Sequence, residues 1–198
     1  MILSNVEIHR ALDEKRLRIE PEPFPRFKGV GEESPYQTTA VDLRLGDEIS
    51  QFKAKLPFDI NLNRGSFINL FGPNSTTVTI ADDTPFILKP HCFVLAKTFE
   101  KVSLELMPAG QVSLSARVEG KSSYARCGLL VHFTAPTIHA GFSGTITLEL
   151  INLGPCNISL YPRTAICQLI FEEVAGVPVR IDSQFQGQAS PGGSVPGP

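Results

Sequence analysis

The chain has almost no excess of charge of either sign. Its 198 residues include 18 Lys and Arg against 20 Asp and Glu, so the formal net charge is −2. Binding to a polynucleotide or to an anionic membrane by bulk charge requires many Lys and Arg that replace condensed counterions. The balance argues against both partners, and any anionic ligand must be small and held locally.

Long hydrophobic runs are also missing. No apolar run approaches the roughly 20 residues that cross a membrane. The start MILSNVEIHR lacks the basic segment followed by an apolar one that marks an exported protein. The sequence therefore predicts a soluble, cytoplasmic protein without membrane contact.

Cysteine is scarce, and its four copies show no metal-binding pattern. Cys92, Cys127, Cys156 and Cys167 form no C-x-x-C pair, and the four histidines match neither H-x-x-x-H nor H-E-x-x-H. The spacing therefore gives no signal for a zinc site. Because free cysteines are most often buried, we expect four buried thiols.

Long helical segments are interrupted by Pro and Gly, of which there are 16 each. The exception is the start, where Ser4 and Glu7 match the S-x-x-E capping box. The apolar residues at roughly helical spacing are Val6, Ile8, Leu12 and Leu17. This pattern predicts one helix at about residues 4–15. Residues 20–38 carry four prolines and no period, so they are predicted to be irregular.

From Val41 onward the sequence shows short strand-like segments separated by Gly, Pro, Asn or Asp. They are VDLRL, FINLF, TVTI, PFILKP, CFVLAKTFE, QVSLSARV, LLVHFTA, GTITLELIN, NISLYP and AICQLIFEEV. Their spacing of roughly 8–14 residues is typical of an all-β sandwich or barrel rather than of βαβ units. We predict one domain over residues 1–185, followed by a flexible arm over residues 186–198, which are rich in Gly, Pro and Ser.

The densest polar stretch covers residues 119–128, between two predicted strands. It holds two cations, Lys121 and Arg126, and the hydroxyls of Ser122 and Ser123. Charge-assisted donors and exposed backbone N–H groups suit a phosphate chain. The stretch is not a Walker A loop, because the preceding Gly and its spacing are missing. A solvated basic turn is the alternative interpretation.

The segment GTITLEL alternates between apolar and polar residues, as a half-buried strand does. One face carries Ile146, Leu148 and Leu150, and the other carries Thr145, Thr147 and Glu149. A carboxylate in this position is a solvated surface residue unless its face lines a cleft or a subunit interface, where it could act as a general base. His132, in the preceding predicted strand, is interpreted as a hydrogen-bonded structural residue.

The run EGKSSYARCGLLVHFTAPTIHAGFSGTITLELINLG resembles the dCTP deaminase family, within the dUTPase-like superfamily of trimeric β-barrels. Weaker similarity is found in MILSNVEIHRAL, in TTAVDLRLGDEI, and in ICQLIFEEV followed by FQGQ. The resemblance implies a distorted, jelly-roll-like β-barrel with a short N-terminal helix and a flexible C-terminal arm that closes over the nucleotide. It also implies a homotrimer with sites between subunits, in which Arg126 serves the pocket of a neighbouring chain.

The resemblance also implies roles for individual residues. In that family the loop that matches residues 121–126 binds the triphosphate, with Ser122 and Arg126 also close to the reacting centre. The glutamate that matches Glu149 is the general base, and the carbonyl that matches Ala135 helps to hold the attacking water. The implied catalytic residues are therefore Glu149, Ser122, Arg126 and Ala135. The implied substrate-binding residues are Lys121, Ser122, Ser123, Arg126, His139, Thr147, Leu148, Glu149 and Gln188.

The implied activity is hydrolysis of dCTP to dUTP and ammonia on the way to dTTP, with dTTP as an inhibitor. Zinc-dependent nucleobase deaminases carry an H-x-E and P-C-x-x-C signature. This chain lacks it, since Pro155-Cys156 is followed by Asn-Ile-Ser. We therefore expect a reaction without a catalytic metal, in which Mg²⁺ binds only through the triphosphate.

Three positions depart from the family pattern. His139 stands where the family has an Asp, which contacts the sugar in deaminases and is the hydrolytic base in dUTPases. Ile181 and Gln184 replace a Tyr and a Lys, whereas Gln188 keeps its place. Two alternatives stay open: a dUTP pyrophosphatase, alone or in addition to deamination, which the His139 change disfavours, and a non-catalytic nucleotide-binding homologue.

Overall fold

The computed structural model describes residues 1–31, 33–53, 67–181 and 185–192. These residues contain three helices and eleven strands. The helices are α1 (Asn5–Asp13), α2 (Phe67–Asn74) and α3 (Ser122–Ala125). The strands are β1 (Leu17–Glu20), β2 (Val41–Phe52), β3 (Ser75–Thr79), β4 (Phe86–Leu88), β5 (Phe93–Leu104), β6 (Leu114–Gly120), β7 (Leu129–Val131), β8 (Thr137–Ile138), β9 (Ser143–Asn152), β10 (Ile158–Leu160) and β11 (Ala165–Glu173).

Nine of these strands form one antiparallel sheet. Its order is β7-β9-β5-β2-β11-β6-β8, with β1 added beside β5 and β3 beside β2. The other two strands, β4 and β10, pair with each other. The large sheet curls into a half-barrel around the hydrophobic core. The prediction of a mostly β fold with a short N-terminal helix is therefore confirmed.

Helix α1 begins where the capping box predicts. The Oγ atom of Ser4 accepts a hydrogen bond from the backbone N–H of Glu7 at 3.4 Å, which satisfies one of the free donors of the first turn. The helix packs one face into the core. Its buried residues are Ile8, His9, Ala11 and Leu12.

The end of α1 comes earlier than the apolar spacing predicts. Lys15 adopts a φ of 59°, and the N–H of Arg16 bonds back to the carbonyl of Ala11 at 2.9 Å. This is the bonding of a Schellman turn, which stops a helix. Leu17, which the spacing grouped with the helix, therefore lies in β1, opposite Leu104 of β5.

The prediction of a strand at FINLF is wrong. Phe71 and the four residues before it belong to α2. A run of five residues with one polar member, Asn69, is too short to show its period, so a helical turn and a strand look alike in sequence. Phe71 is buried and meets the ring of Phe52 edge to face, with ring centroids 4.8 Å apart.

The expectation of four buried thiols is also wrong. Cys127 and Cys156 are exposed, Cys92 is half-buried and Cys167 is buried. The two exposed residues lie in connections between elements, which run over the surface. Burial raises the pKa of the Cys167 thiol, so this group stays neutral at neutral pH.

Two glycines join the turn after α3 to the turn after β9. Gly128 has a φ of +90°, and a Cβ built on it would lie 2.3 Å from the backbone nitrogen of Gly154. The N–H of Leu153 donates to the Gly128 carbonyl at 2.8 Å. Oδ1 of the buried Asn152 accepts the N–H of Gly154 at 2.9 Å. The polar stretch that ends at residue 128 is therefore fixed against the end of β9.

We expect Gly128→Ala to destabilise the protein strongly. The substitution puts a Cβ at a positive φ and drives it into the backbone of Gly154, which cannot rotate away. The left-handed backbone alone should lower the free energy of unfolding by about 1–2 kcal/mol. The clash should add about 1–3 kcal/mol. Urea unfolding at a fixed protein concentration measures the sum.

Gly110→Ala is the matched control. Gly110 has nearly the same φ, +91°, but a Cβ there would meet nothing within 4 Å. It should show only the backbone part of the loss, so equal losses for the two variants would contradict the role given to the Gly128–Gly154 contact.

Candidate functional site

Glu149 lies on the half-buried face of β9. Alternate residues of this strand are buried, as its sequence alternation predicts. Of the Glu149 side chain, 31% is exposed. β9 pairs with β5 along most of its length, whereas β7 reaches only residues 150–152. The turn that follows β7 therefore passes directly beside Glu149.

Glu149 faces a cavity of about 970 Å³. The predicted site residues that line this cavity are Ala135, His139, Thr147, Glu149 and Gln188. Much of the remaining wall is apolar, with aromatic side chains such as Phe93 and Phe142. The structure therefore brings half of the predicted site residues together in one chain.

The hydroxyl of Thr147 is an unsatisfied group in this cavity. Its Oγ1 is buried and has no hydrogen-bond partner among the described residues. A buried polar atom without a partner is costly, so it is most often satisfied by water or by a ligand. Thr147 is therefore suited to a polar contact with whatever fills the cavity.

His132 links two of the predicted catalytic residues. Its Nε2 lies 2.8 Å from the carbonyl oxygen of Ala135, and its Nδ1 lies 2.6 Å from Oε2 of Glu149. The second contact lacks the alignment of a hydrogen bond, since Nδ1 has no hydrogen-bond partner within the described structure. It is an electrostatic contact between a ring that is 8% exposed and a half-buried carboxylate.

The sequence-based interpretation of His132 was incomplete. LLVHFTA is predicted as one strand, but β7 ends at Val131, and His132 leaves the sheet with a φ of 53°. The hydrogen bond to Ala135 confirms a structural contact. The contact with Glu149 has no local signal in the sequence, because the two residues meet only through the pairing of β7 with β9.

The first part of the predicted C-terminal arm is seated along β9. Among residues 185–192, the N–H of Gly187 donates to the Ser143 carbonyl at 2.8 Å. The N–H of Thr145 donates to the Gln188 carbonyl at 3.0 Å, and Nε2 of Gln188 returns a bond to the Thr145 carbonyl at 2.8 Å. The segment therefore forms one wall of the cavity, and the rest of the arm lies outside the described residues.

The predicted phosphate-binding residues of the polar stretch are not among the described residues that form the cavity wall. Ser122, Ser123 and Arg126 are exposed on and after the single turn of α3. Nζ of Lys121 donates to Oδ2 of Asp42 at 2.5 Å, with most of both side chains buried. None of these four predicted site residues is among the described residues that line the cavity. The structure therefore separates the predicted phosphate-binding residues from Glu149 within one chain.

The remaining positions of interest differ in how they meet the cavity. The side chain of Leu148 is fully buried in the core, so only its backbone can contact a ligand. Ile181 lines the cavity and is exposed, whereas Gln184 lies outside the described residues. Arg180 is the one Lys or Arg among the described lining residues. Sequence reasoning missed it, because a single arginine in an irregular segment carries no recognisable pattern.

The described residues contain neither a metal-ligand cluster nor a membrane-spanning helix. Their His, Cys, Asp and Glu side chains form no group of three or more that could hold a metal ion. None of their helices is long and apolar enough to cross a bilayer.

Known proteins match this chain over most of its length. A family model described as dCTP deaminase-like matches residues 2–174. The chain is 36% identical over 201 residues to a protein of Methanosphaera stadtmanae named dCTP deaminase, dUMP-forming. It is 34% identical over 201 residues to a dCTP deaminase of Thermomicrobium roseum. Each alignment covers 96% of this chain and 91% of the relative.

A solved structure shares the fold. The crystal structure of 2′-deoxycytidine 5′-triphosphate deaminase from Agrobacterium tumefaciens matches with a TM-score of 0.58 and 19% identity, over 86% of this chain. The match covers 47% of the solved chain, so the present chain spans about half of its length. At this identity the similarity concerns the fold alone.

We expect Gly144→Ala to loosen the seated part of the C-terminal arm. A Cβ at this position would lie 3.0 Å from the carbonyl oxygen of Gln188 and 3.2 Å from its nitrogen, so the segment must move. The amide hydrogens of Thr145 and Gly187, which bond across this contact, should exchange with solvent about tenfold faster than in the wild type. Hydrogen exchange followed by mass spectrometry or NMR measures this.

Gly120→Ala is the matched control, because Gly120 also lies in a strand, and a Cβ there would meet Val131 at an ordinary 3.7 Å. Exchange at Thr145 and Gly187 should not change in this variant. Unchanged exchange in Gly144→Ala as well would contradict a tightly seated segment.

Proposed function

Because the chain belongs to the dCTP deaminase-like family, we propose that it is an enzyme that hydrolyses dCTP to a deoxyuridine nucleotide and ammonia. The relatives at 36% and 34% identity carry this activity in their names. The observation that carries the proposal is the carboxylate of Glu149, which faces the cavity and is linked through His132 to the carbonyl of Ala135. Hydrolysis needs an acceptor for the proton of water beside a second group that holds the water, and this pair supplies both.

The reaction replaces the amino group on C4 of the pyrimidine by oxygen. Water attacks C4 and loses its first proton to Glu149, which passes this proton to ring N3. The hydroxyl now on C4 then loses its proton to Glu149, which passes it to the amino group, so the C4–N bond breaks, ammonia leaves and the C4 carbonyl forms. The carbonyl oxygen of Ala135 accepts a hydrogen bond from the other O–H group of the attacking water and so holds it in place. Its oxygen has two lone pairs, and His132 occupies one of them. A positioned proton-transfer group of this kind contributes about 10²–10⁴ in rate.

The polar residues of the cavity hold the nucleoside. The hydroxyl of Thr147, which is buried without a partner among the described residues, and the backbone of Leu148 contact the base. His139, exposed at the rim, reaches the sugar hydroxyl that an Asp contacts in typical relatives. Gln188 holds the arm against β9 and closes the cavity on this side.

The triphosphate requires more cations than the described lining residues of this cavity supply. Arg180 is its one Lys or Arg among the described lining residues, and the stretch with Arg126 lies elsewhere. This separation supports a homotrimer in which Arg126, Ser122 and Ser123 of one copy complete the cavity of its neighbour. Lys121 is held by Asp42, so it anchors this stretch as well as adding positive charge.

No catalytic metal is part of the proposal. The zinc signature of other nucleobase deaminases is missing from the sequence, and a carboxylate is in place as the proton acceptor. Mg²⁺ accompanies the substrate through its phosphate oxygens, which it prefers as ligands. The nucleotide dTTP shares the sugar and triphosphate of dCTP, so it can occupy the same cavity as an inhibitor.

A second candidate product is dUMP. The Methanosphaera relative is named dUMP-forming, which favours hydrolysis of the triphosphate after deamination. His139 lines the same cavity, where its imidazole could take the place of the Asp that serves dUTPases as the hydrolytic base. The two products differ in one measurable quantity, the release of pyrophosphate.

We expect the purified protein, given dCTP and Mg²⁺, to release one ammonia for each dCTP consumed. Pyrophosphate in equal amount would identify dUMP as the product, and its absence would identify dUTP. Glu149→Gln should abolish ammonia release, because an amide cannot accept the proton, while the size of the assembly stays the same.

Glu105→Gln is the matched control and should leave turnover unchanged, since the Glu105 side chain is 45% exposed and is not among the described residues that line the cavity. No ammonia from the wild type across pH and Mg²⁺ concentrations would refute the proposed activity. Activity retained in Glu149→Gln would remove Glu149 from the role of base.

We expect two inactive variants to restore activity when they share a trimer. Arg126→Ala should lose phosphate binding, and Glu149→Gln should lose the base, so neither is active alone. In a closed ring assembled at random from equal amounts of both chains, about a quarter of the sites receive a native Arg126 and a native Glu149. Ammonia release from co-expressed chains should recover to about that fraction.

Co-expression of Glu149→Gln with a second tagged copy of Glu149→Gln is the control and should stay inactive. If the mixed assembly is equally inactive, the proposal that Arg126 of one chain and Glu149 of its neighbour form one site is wrong, and both residues act within one chain.

A further inference from the structure

His132 contacts both groups that the proposed reaction places beside the water. Its Nε2 lies 2.8 Å from the Ala135 carbonyl oxygen, and its Nδ1 lies 2.6 Å from Oε2 of Glu149. Its backbone N–H also donates to the Glu149 carbonyl at 2.8 Å. We propose that His132 is a positioning residue, whose ring sets the Ala135 carbonyl and the Glu149 carboxylate in the arrangement that the attacking water requires. This inference rests on the proposed function.

The contacts determine which ring nitrogen carries hydrogen. A carbonyl oxygen only accepts hydrogen bonds, so Nε2 must carry the hydrogen that bonds Ala135. Nδ1 then faces Oε2 of Glu149 at 2.6 Å without the alignment of a hydrogen bond. The ring therefore bonds the Ala135 carbonyl at one nitrogen and contacts the carboxylate at the other.

The position of the ring bears directly on the chemistry. The carboxylate that His132 contacts is the group that accepts the proton of water in the proposed reaction, so the ring fixes where that carboxylate lies. Lys97, one of two lysines on the adjacent strand β5, is engaged by Glu48 at 2.6 Å and by the carbonyl of Ala189 at 3.1 Å. His139 and Arg180 are the other basic residues among the described lining residues.

The backbone conformation of His132 fixes the position of its ring. His132 has a φ of 53° and is 8% exposed. A positive φ is uncommon outside glycine and persists where the surrounding structure imposes it. His91 provides a comparison, because it has a φ of 60° but is exposed and is not among the residues that line the cavity.

Two substitutions test the contacts of the two ring nitrogens separately. The amide of Asn lies near the position of Nδ1, and Asn tolerates a positive φ, so His132→Asn keeps a polar group beside Glu149 but loses the bond to Ala135. The longer His132→Gln reaches the position of Nε2, so it keeps the bond to Ala135 but leaves Glu149 without the imidazole. We expect each variant to lower kcat by about tenfold to a hundredfold. KM for dCTP should change by less than about threefold, because the triphosphate is held elsewhere.

His91→Asn and His91→Gln are the matched controls and should keep the kcat of the wild type. An inactive wild type would refute the proposed function itself. An active wild type with unchanged kcat in both His132 variants would refute the positioning role and leave the proposed function standing. Variants that lower kcat and raise KM by the same factor would also refute it, because that result indicates general loss of the site.

A measurement on the wild type covers the case in which the variants fail to fold. In protein labelled with ¹⁵N-histidine, long-range ¹H–¹⁵N correlation spectra report which ring nitrogen carries hydrogen. We expect His132 to carry hydrogen on Nε2. The tautomer with hydrogen on Nδ1 alone would overturn the proposal, since a bare Nε2 cannot bond the Ala135 carbonyl.

Discussion

The short pairing of β7 with β9 is the constraint on which the site depends. β7 covers only residues 150–152 of β9, and its pairing ends with Val131 opposite Leu150. The chain then leaves the sheet at His132, beside Glu149, and the turn carries the carbonyl of Ala135 to the same place. A longer β7 would keep the backbone of this turn in the sheet, where its carbonyls bond to β9. The arrangement of the Glu149 carboxylate, the His132 ring and the Ala135 carbonyl therefore follows from where one strand stops.

The charges bear on the proposal that a second copy completes the site. The net charge is −2, and some of the cations already form ion pairs within the fold. Arg44 pairs with the fully buried Glu100, and Lys121 pairs with Asp42. Removing either acid would leave a poorly solvated cation, so these pairs belong to the fold. A ligand with several negative charges must then rely on cations outside such pairs. This is the physical reason to look for them on a second copy, in the exposed stretch that contains Arg126.

The parts of the molecule that the sequence predicted are those set by local periodicity. Alternation in GTITLEL predicted the buried face of β9 and the position of Glu149, and the pattern at Ser4 predicted the start of α1. FINLF failed because five residues with one polar member are too few to show a period. The contact of His132 with Glu149 and the absence of Arg126 from the described cavity lining are set by strand register and by the path of loops. No pattern within a short segment encodes either.

Part of the edge of β9 is paired with the segment of residues 185–192 rather than with another strand. Unpaired N–H and C=O groups on an exposed strand edge invite pairing with another chain, so proteins cover such edges. Here residues 185–192 supply the cover, with main-chain bonds at Ser143 and Thr145, and the absent side chain of Gly144 leaves the room. The segment that protects the edge is also a wall of the cavity. Its release would open the cavity and expose the edge together, so one segment serves both as a wall of the cavity and as the cover of the sheet edge.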